Sequence, residues 1–135
     1  LGVKDQIGNG IAVRHPMFAN EDDSMNIGAN LEVNTAIIRL TNTPNGMLDS
    51  NACVVKKLDK LMKHNPESYF LVHCGGRRLG LQLSGLEDKI YSEIKKAIPD
   101  KEFLMVFTFG EYGRCEHSSN IVGGLSLSFT GFGEE

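Results

Sequence analysis

Phe103-Leu-Met-Val-Phe107 is an unbroken apolar run, too short for a helix and rich in β-formers. It reads as a strand covered on both faces, the most buried of the chain. The run continues through Thr108-Phe109, stops at Gly110 and is followed at once by Glu111. A carboxylate at the mouth of such a strand is the feature any fold must accommodate. The strand ends of an open α/β layer are also where such folds bind ligands.

A chain of 135 residues is sized for one compact domain with a single core. Its apolar content of 41% is ordinary, and no apolar run approaches the roughly 18 or more residues of a membrane span. Net charge is −3, with Lys and Arg scattered rather than striped, which argues against nucleic acid as a partner. Cys53, Cys74 and Cys115 form no CxxC and no even framework, and so read as reduced thiols in a cytoplasmic protein. The chain begins at Leu1, not Met, with no visible signal peptide, and is read as part of a longer protein.

Along the chain, residues 1–10 read as a lead-in and Ile11 to Arg14 as a short strand broken by Pro16. Asn20-Glu-Asp-Asp-Ser24 is a solvated turn without the glycine a calcium loop needs. Met25 to Leu31 and Thr35 to Thr41 are further strand candidates. Thr43-Pro-Asn-Gly46 punctuates the chain. From Leu48 to His64, Leu48, Ala52, Val55, Leu58, Leu61 and Met62 recur at helix spacing, and Lys56, Lys57, Lys60 and Lys63 face away. Cys53 falls near the stripe edge as core filler, and Asn65-Pro66 ends the helix.

Tyr69 to Cys74 is a strand and Gly75 to Gly80 a loop. Ser84-Gly-Leu-Glu87 is a capping box opening a second helix with Leu86, Ile90, Ile94 and Ala97/Ile98 on its buried side. After the Phe103 strand and a loop from Tyr112 to Asn120, Ile121 to Phe129 forms a last strand, with Leu125, Leu127 and Phe129 alternating with serines. The expected fold is α+β: a mixed sheet with order β-β-β-α-β-α-β-β along the chain, two helices packed on it, and one right-handed βαβ crossover. A parallel crossover brings the ends of strands 69–74 and 103–109 to one edge, so that Cys74-Gly-Gly-Arg77 faces Gly110-Glu111.

Cys74 with arginines nearby invites comparison with a phosphatase loop, but that chemistry needs Arg six positions after Cys, where Gly80 stands. A Walker A loop fails because Leu81-Gln82 follows Gly80. Cys115, His117, Glu111, Glu116 and His73 match no zinc spacing, and Ser118 and Ser119 beside His117 make no triad. No cofactor is implied. The remaining constellation is Glu111 with Arg77 or Arg78. It is either a structural ion pair or a polar cleft in which Gly75 and Gly76 admit a ligand's close approach. Arg then takes an anionic group and Glu111 a cationic one.

Phe70-Leu-Val-His-Cys-Gly-Gly-Arg77 with Leu79-Gly80, a helix, and then Phe107-Thr-Phe-Gly-Glu111 resemble the C-terminal half of the FIST domain. Cys74, Gly76 and Arg77 match the first motif, and Thr108, Gly110 and Glu111 the second. Val13-Arg-His-Pro16, the acidic turn ending at Ser24 and the Thr35 strand resemble the domain's opening, so the likeness runs from about residue 11 to 129. The loop Arg114-Cys-Glu-His-Ser-Ser-Asn120 departs from the Asn-x-Thr-like entry expected there.

The resemblance implies a sensory or regulatory module, not a catalyst. It implies a small polar ligand (amino acids among the candidates), a preceding N-terminal half and a signalling output domain in the full-length protein. The ligand-binding candidates are Cys74, Gly75, Gly76, Arg77, Arg78, Gly110, Glu111 and Tyr112. Two alternatives stay open. One is a protein-interaction module such as an F-box-type substrate adaptor, with Tyr112, Leu79 and Leu81 as its exposed patch. The other is a thiol enzyme using Cys74 or Cys115.

Overall fold

Strand β6, Ser68–Cys74, is the spine of the larger of two units into which the chain's contacts fall. The computed structural model describes residues 1–4, 10–114 and 120–134. The larger unit is Asn42–Phe109 with Leu127–Glu135, and the smaller is Leu1–Thr41 with Gly110–Ser126.

In the larger unit β6 lies between β7, Glu102–Thr108, and β10, Leu127–Phe132. It pairs in parallel with β7, Ser68 opposite Glu102 through Cys74 opposite Thr108, and antiparallel with β10, Leu127 opposite His73. Three helices complete the unit: α1, Pro44–Leu61; α2, Gly75–Leu83; and α3, Lys89–Ala97. Alternation along β6 sends Tyr69, Leu71 and His73 to one face, and all three are buried. On that face Tyr69 and Leu71 join Leu48 and Val55 of α1, Leu81 of α2, and Ile90, Ile94 and Ile98 of α3 and its C-cap in one core. Phe103, Met105, Phe107 and Phe129 close it from the flanking strands. The expected α+β class, mixed sheet and βαβ crossover are therefore present.

Several expectations are corrected. β7 is an edge strand, not the buried centre; Leu104 on its outer face is 62% exposed. Continuous hydrophobicity there marks a strand whose second face is open. The segment read as a loop, Gly75–Gly80, is the body of α2, so there are three helices among the described residues, not two. Ser84 does not open a helix but caps the end of α2, its Oγ donating to the Gly80 carbonyl at 2.9 Å. α3 starts later, after Asp88. α1 starts earlier than its apolar stripe: Thr43 is its N-cap, the Oγ1 accepting from the Gly46 amide at 3.0 Å, with Pro44 in the first turn. Cys53 is exposed rather than core filler.

The smaller unit is built of short strands. β1, Gly2–Lys4, which had read as a lead-in, is the centre of a sheet between β2, Ile11–Val13, and β5, Ile37–Ile38. β3, Pro16–Ala19, and β4, Met25–Ile27, form a hairpin. β8, Glu111–Arg114, pairs with β9, Asn120–Gly123. The last expected strand is thus two, β9 and β10, split at Leu125, whose φ is +55°. Arg14 ties the pieces, its Nη1 donating to the Val122 carbonyl at 3.0 Å and its Nε to the Asn30 carbonyl at 3.2 Å. The His15 ring sits in a slot between two glycines. A Cβ at Gly28 would fall 2.2 Å from its Cε1, and one at Gly124 2.7 Å from its Nδ1.

Leu71→Ala should destabilise the chain by about 2–5 kcal/mol, as for other fully buried leucines, and Thr43→Ala by about 1 kcal/mol. Urea denaturation measures both. A second check uses Tyr69, whose buried hydroxyl donates to Asp59 Oδ1 at 2.7 Å. Burial, and then that bond, raise its pKa above the ordinary phenol value of 10.0. Above that pH the unfolded chain releases a proton that the folded chain keeps, so stability should fall as pH rises further. Tyr69→Phe should flatten that part of the pH profile.

Candidate functional site

β6 runs into α2 with no connecting residues. Cys74, in extended conformation, is both the last residue of the strand and the N-cap of the helix. Its side chain gives no capping hydrogen bond to the first-turn amides of Gly75, Gly76 and Arg77. Because Cys74 pairs with Thr108, this helix start lies at the carboxyl end of two parallel strands. The partial positive charge of a helix N-terminus favours an anion at such a place. Gly75 lies under an exposed aromatic ring. A Cβ there would come 2.7 Å from Cζ of Phe109, whose ring lies against it while remaining 88% exposed.

The two arginines that follow have different tasks. Arg77 is 8% exposed, and its Nη2 donates at 2.6 Å to both the Met47 carbonyl and Ser50 Oγ in the opening turns of α1. Burial lowers its pKa, and the neighbouring Cys74 partly opposes that shift. Arg77 thus latches α2 to α1. Arg78 points to the outside. Its Nε donates to Glu87 Oε1 at 2.6 Å and its guanidinium lies 4.7 Å above the Phe107 ring. Phe107 in turn meets the His73 ring edge-on at 5.2 Å. His73 Nδ1 lies 3.1 Å from the Cys74 carbonyl.

Five of the expected ligand residues, Cys74, Gly75, Gly76, Arg77 and Arg78, are therefore gathered at one strand–helix junction. Gly110, Glu111 and Tyr112 are gathered at the start of β8 in the smaller unit. Gly110 has φ +87°, a value glycine adopts without strain. Glu111 is buried, only 7% exposed, and pairs with Gly123, and Tyr112 is exposed. Of the residues expected to form an exposed patch, Leu79 and Tyr112 are exposed, but Leu81 is fully buried in the core. Cys115, Glu116, His117, Ser118 and Ser119 lie outside the described residues.

The sequence reading missed Ser50 and Met47 as partners of Arg77, which no local pattern marks. It took Glu87 for a capping residue when it is the partner of Arg78. Buried Asn51 was also missed. Its Nδ2 donates to the Leu48 carbonyl at 2.8 Å, and its Oδ1 has no donor among the described residues. Among those residues no group of three or more His, Cys, Asp or Glu is placed to hold a metal ion. No helix among the described residues is long and apolar enough to cross a membrane.

Removing the latch tests its weight. Arg77→Met should cost about 1.5–3 kcal/mol, the range for hydrogen bonds from a charged group. Ser50→Ala should cost less, because the Met47 carbonyl keeps its donor. In a double-mutant cycle the pair should cost less than the two single changes added.

Among known families, the model of the FIST C domain matches residues 1–114, most of the chain. No curated protein and no solved structure matches.

Proposed function

This chain belongs to the FIST C domain family, a family of signal-transduction sensory domains, and from that premise we propose that it binds a small polar metabolite and reports its presence to an output domain. The observation that carries the proposal is the junction of β6 with α2. It offers first-turn amides without a side-chain cap, glycines at the first two helical positions, and a partly exposed guanidinium one turn on. A carboxylate is the group such a junction attracts, which makes amino acids the first class to try. Arg78 supplies the outward cation, and Arg77, held against α1, fixes the turn that presents the amides. For Gly110, Glu111 and Tyr112 the proposal rests on the Thr-Phe-Gly-Glu motif. There Glu111 takes an ammonium or another donor.

The role is regulatory rather than catalytic. His73 and Cys74 are consecutive strand residues and point to opposite faces, so they do not form a nucleophile–base pair. Cys74 is also buried, which opposes the access a reactive thiol needs. A cytoplasmic setting, a preceding N-terminal half and a separate output domain complete the proposal.

A thermal-shift screen against amino acids and related metabolites tests it. A ligand at a hundred times its Kd should stabilise the chain by about 2.7 kcal/mol. The shift should shrink in Arg78→Ala, a surface change, and in Arg77→Ala and Glu111→Ala. A panel without a single hit, or a hit indifferent to all three substitutions, would remove the assignment.

A further inference from the structure

β7 has an unguarded outer edge. It pairs with β6 on one side and, among the described residues, with no strand on the other. A sheet edge offers backbone N–H and C=O groups to any strand that approaches, and folds guard it with a charge, a proline or a bulge. From Phe103 to Phe107 β7 has none of these: the run is apolar throughout, and its ladder with β6 keeps an unbroken register. The opposite edge of the sheet, β10, differs, with exposed Ser128 and Thr130 on its outer face and Gly131 in its interior. Neither face of β7 is closed at its edge. Leu104 on the outer face is more than half exposed, and Phe103, Met105 and Phe107 stay partly exposed although they pack against the core on the inner face.

The strand is also nearly palindromic in side-chain class. Read outward from Met105, Leu104 matches Val106, Phe103 matches Phe107, and the strand ends at Glu102 and Thr108 are equidistant. Antiparallel pairing about Met105 therefore sets Phe103 opposite Phe107 and Leu104 opposite Val106, each on a matching face. That register overlaps all seven residues of the strand. A slip of one residue sets the inner face of one strand against the outer face of the other. The same register holds the two Glu102 carboxylates at opposite ends of the ladder, whereas parallel pairing brings like charges together.

We propose that this chain forms a homodimer through β7, the edge strands of two copies pairing antiparallel about a twofold axis at Met105. The self-matching order of side chains selects a second copy as the occupant, because the strand that complements β7 reversed is β7 itself. The contact is isologous and closes at two copies, since the other side of β7 is already taken by β6. Two three-stranded sheets join edge to edge. Across the outer face, Phe70 and Leu104 of one copy then continue into Val106 and Val72 of the other.

Sedimentation across a concentration series, with hydrogen exchange of the same samples read by peptide mass spectrometry, tests this. The expected result is a monomer–dimer equilibrium in which the peptide spanning residues 103–108 slows its exchange as the dimer fills, while β10 does not change. Leu104→Lys with Val106→Lys sets ammonium groups opposite one another at both outer-face pairs and should weaken the dimer at least about tenfold. Leu104→Glu with Val106→Glu should do the same with carboxylates. Both positions lie on the outer face, where a long charged side chain reaches water. A mixture of the two variants should form a heterodimer, because each lysine then meets a glutamate; its recovery also shows that both variants are folded. Monomers persisting to about 1 mM overturn the proposal. So does a dimer indifferent to both double substitutions, a mixture that fails to recombine, assembly beyond two copies, or protection that falls on β10 instead of β7.

Discussion

The in-register parallel pairing of Ser68–Cys74 with Glu102–Thr108 is the constraint from which the larger unit follows. Once Cys74 is opposite Thr108, the chain must leave both strands at one end of the sheet. The crossover between them must also cover the face that Tyr69, Leu71 and His73 present. The crossover here is two short helices rather than one. α2 leaves the strand without a loop, and its first residue, Gly75, lies against the Phe109 ring. Local backbone permissiveness, a sheet register and an aromatic contact thus meet at a single peptide.

The same junction explains why consecutive arginines diverge. A helix rotates about 100° per residue, so Arg77 and Arg78 cannot share an environment. Arg77 turns inward to the opening of α1, and Arg78 outward over Phe107 toward Glu87. A buried guanidinium is tolerable because its hydrogen bonds replace those lost to water. The pair divides anchoring from charge display.

Much of this was legible in the sequence. The stripe of Leu48, Val55 and Leu58 announced α1, the run from Tyr69 to Cys74 read as the strand that is β6, and Ile90, Ile94 and Ile98 announced the buried side of α3. What escaped had physical reasons. Gly75-Gly76 has poor helix propensity, yet α2 forms because Leu81 is fully buried and Arg77 is anchored, a tertiary effect outweighing a local one. Thr43-Pro44 signals a turn and a helix start equally well, and only the Gly46 amide decides between them. Phe103 to Phe107 is apolar on both faces, but apolarity does not say whether a second layer exists. Leu104 shows that the outer face is open there. The strands of the smaller unit are too short for any period to be read. Met47 and Ser50, which Arg77 bonds, lie 30 and 27 positions away and carry no pattern at all.

The histidine slot of the smaller unit has a consequence for how the sequence can drift. His15 fills space that Gly28 and Gly124 leave empty, so one imidazole ring holds together segments from opposite ends of the chain. A methyl group at either glycine meets the ring before anything else, and a smaller residue at position 15 leaves a hole beside both. These three sites form one lock. A side chain added at either glycine is accommodated only once the ring at position 15 has shifted or been replaced by something smaller.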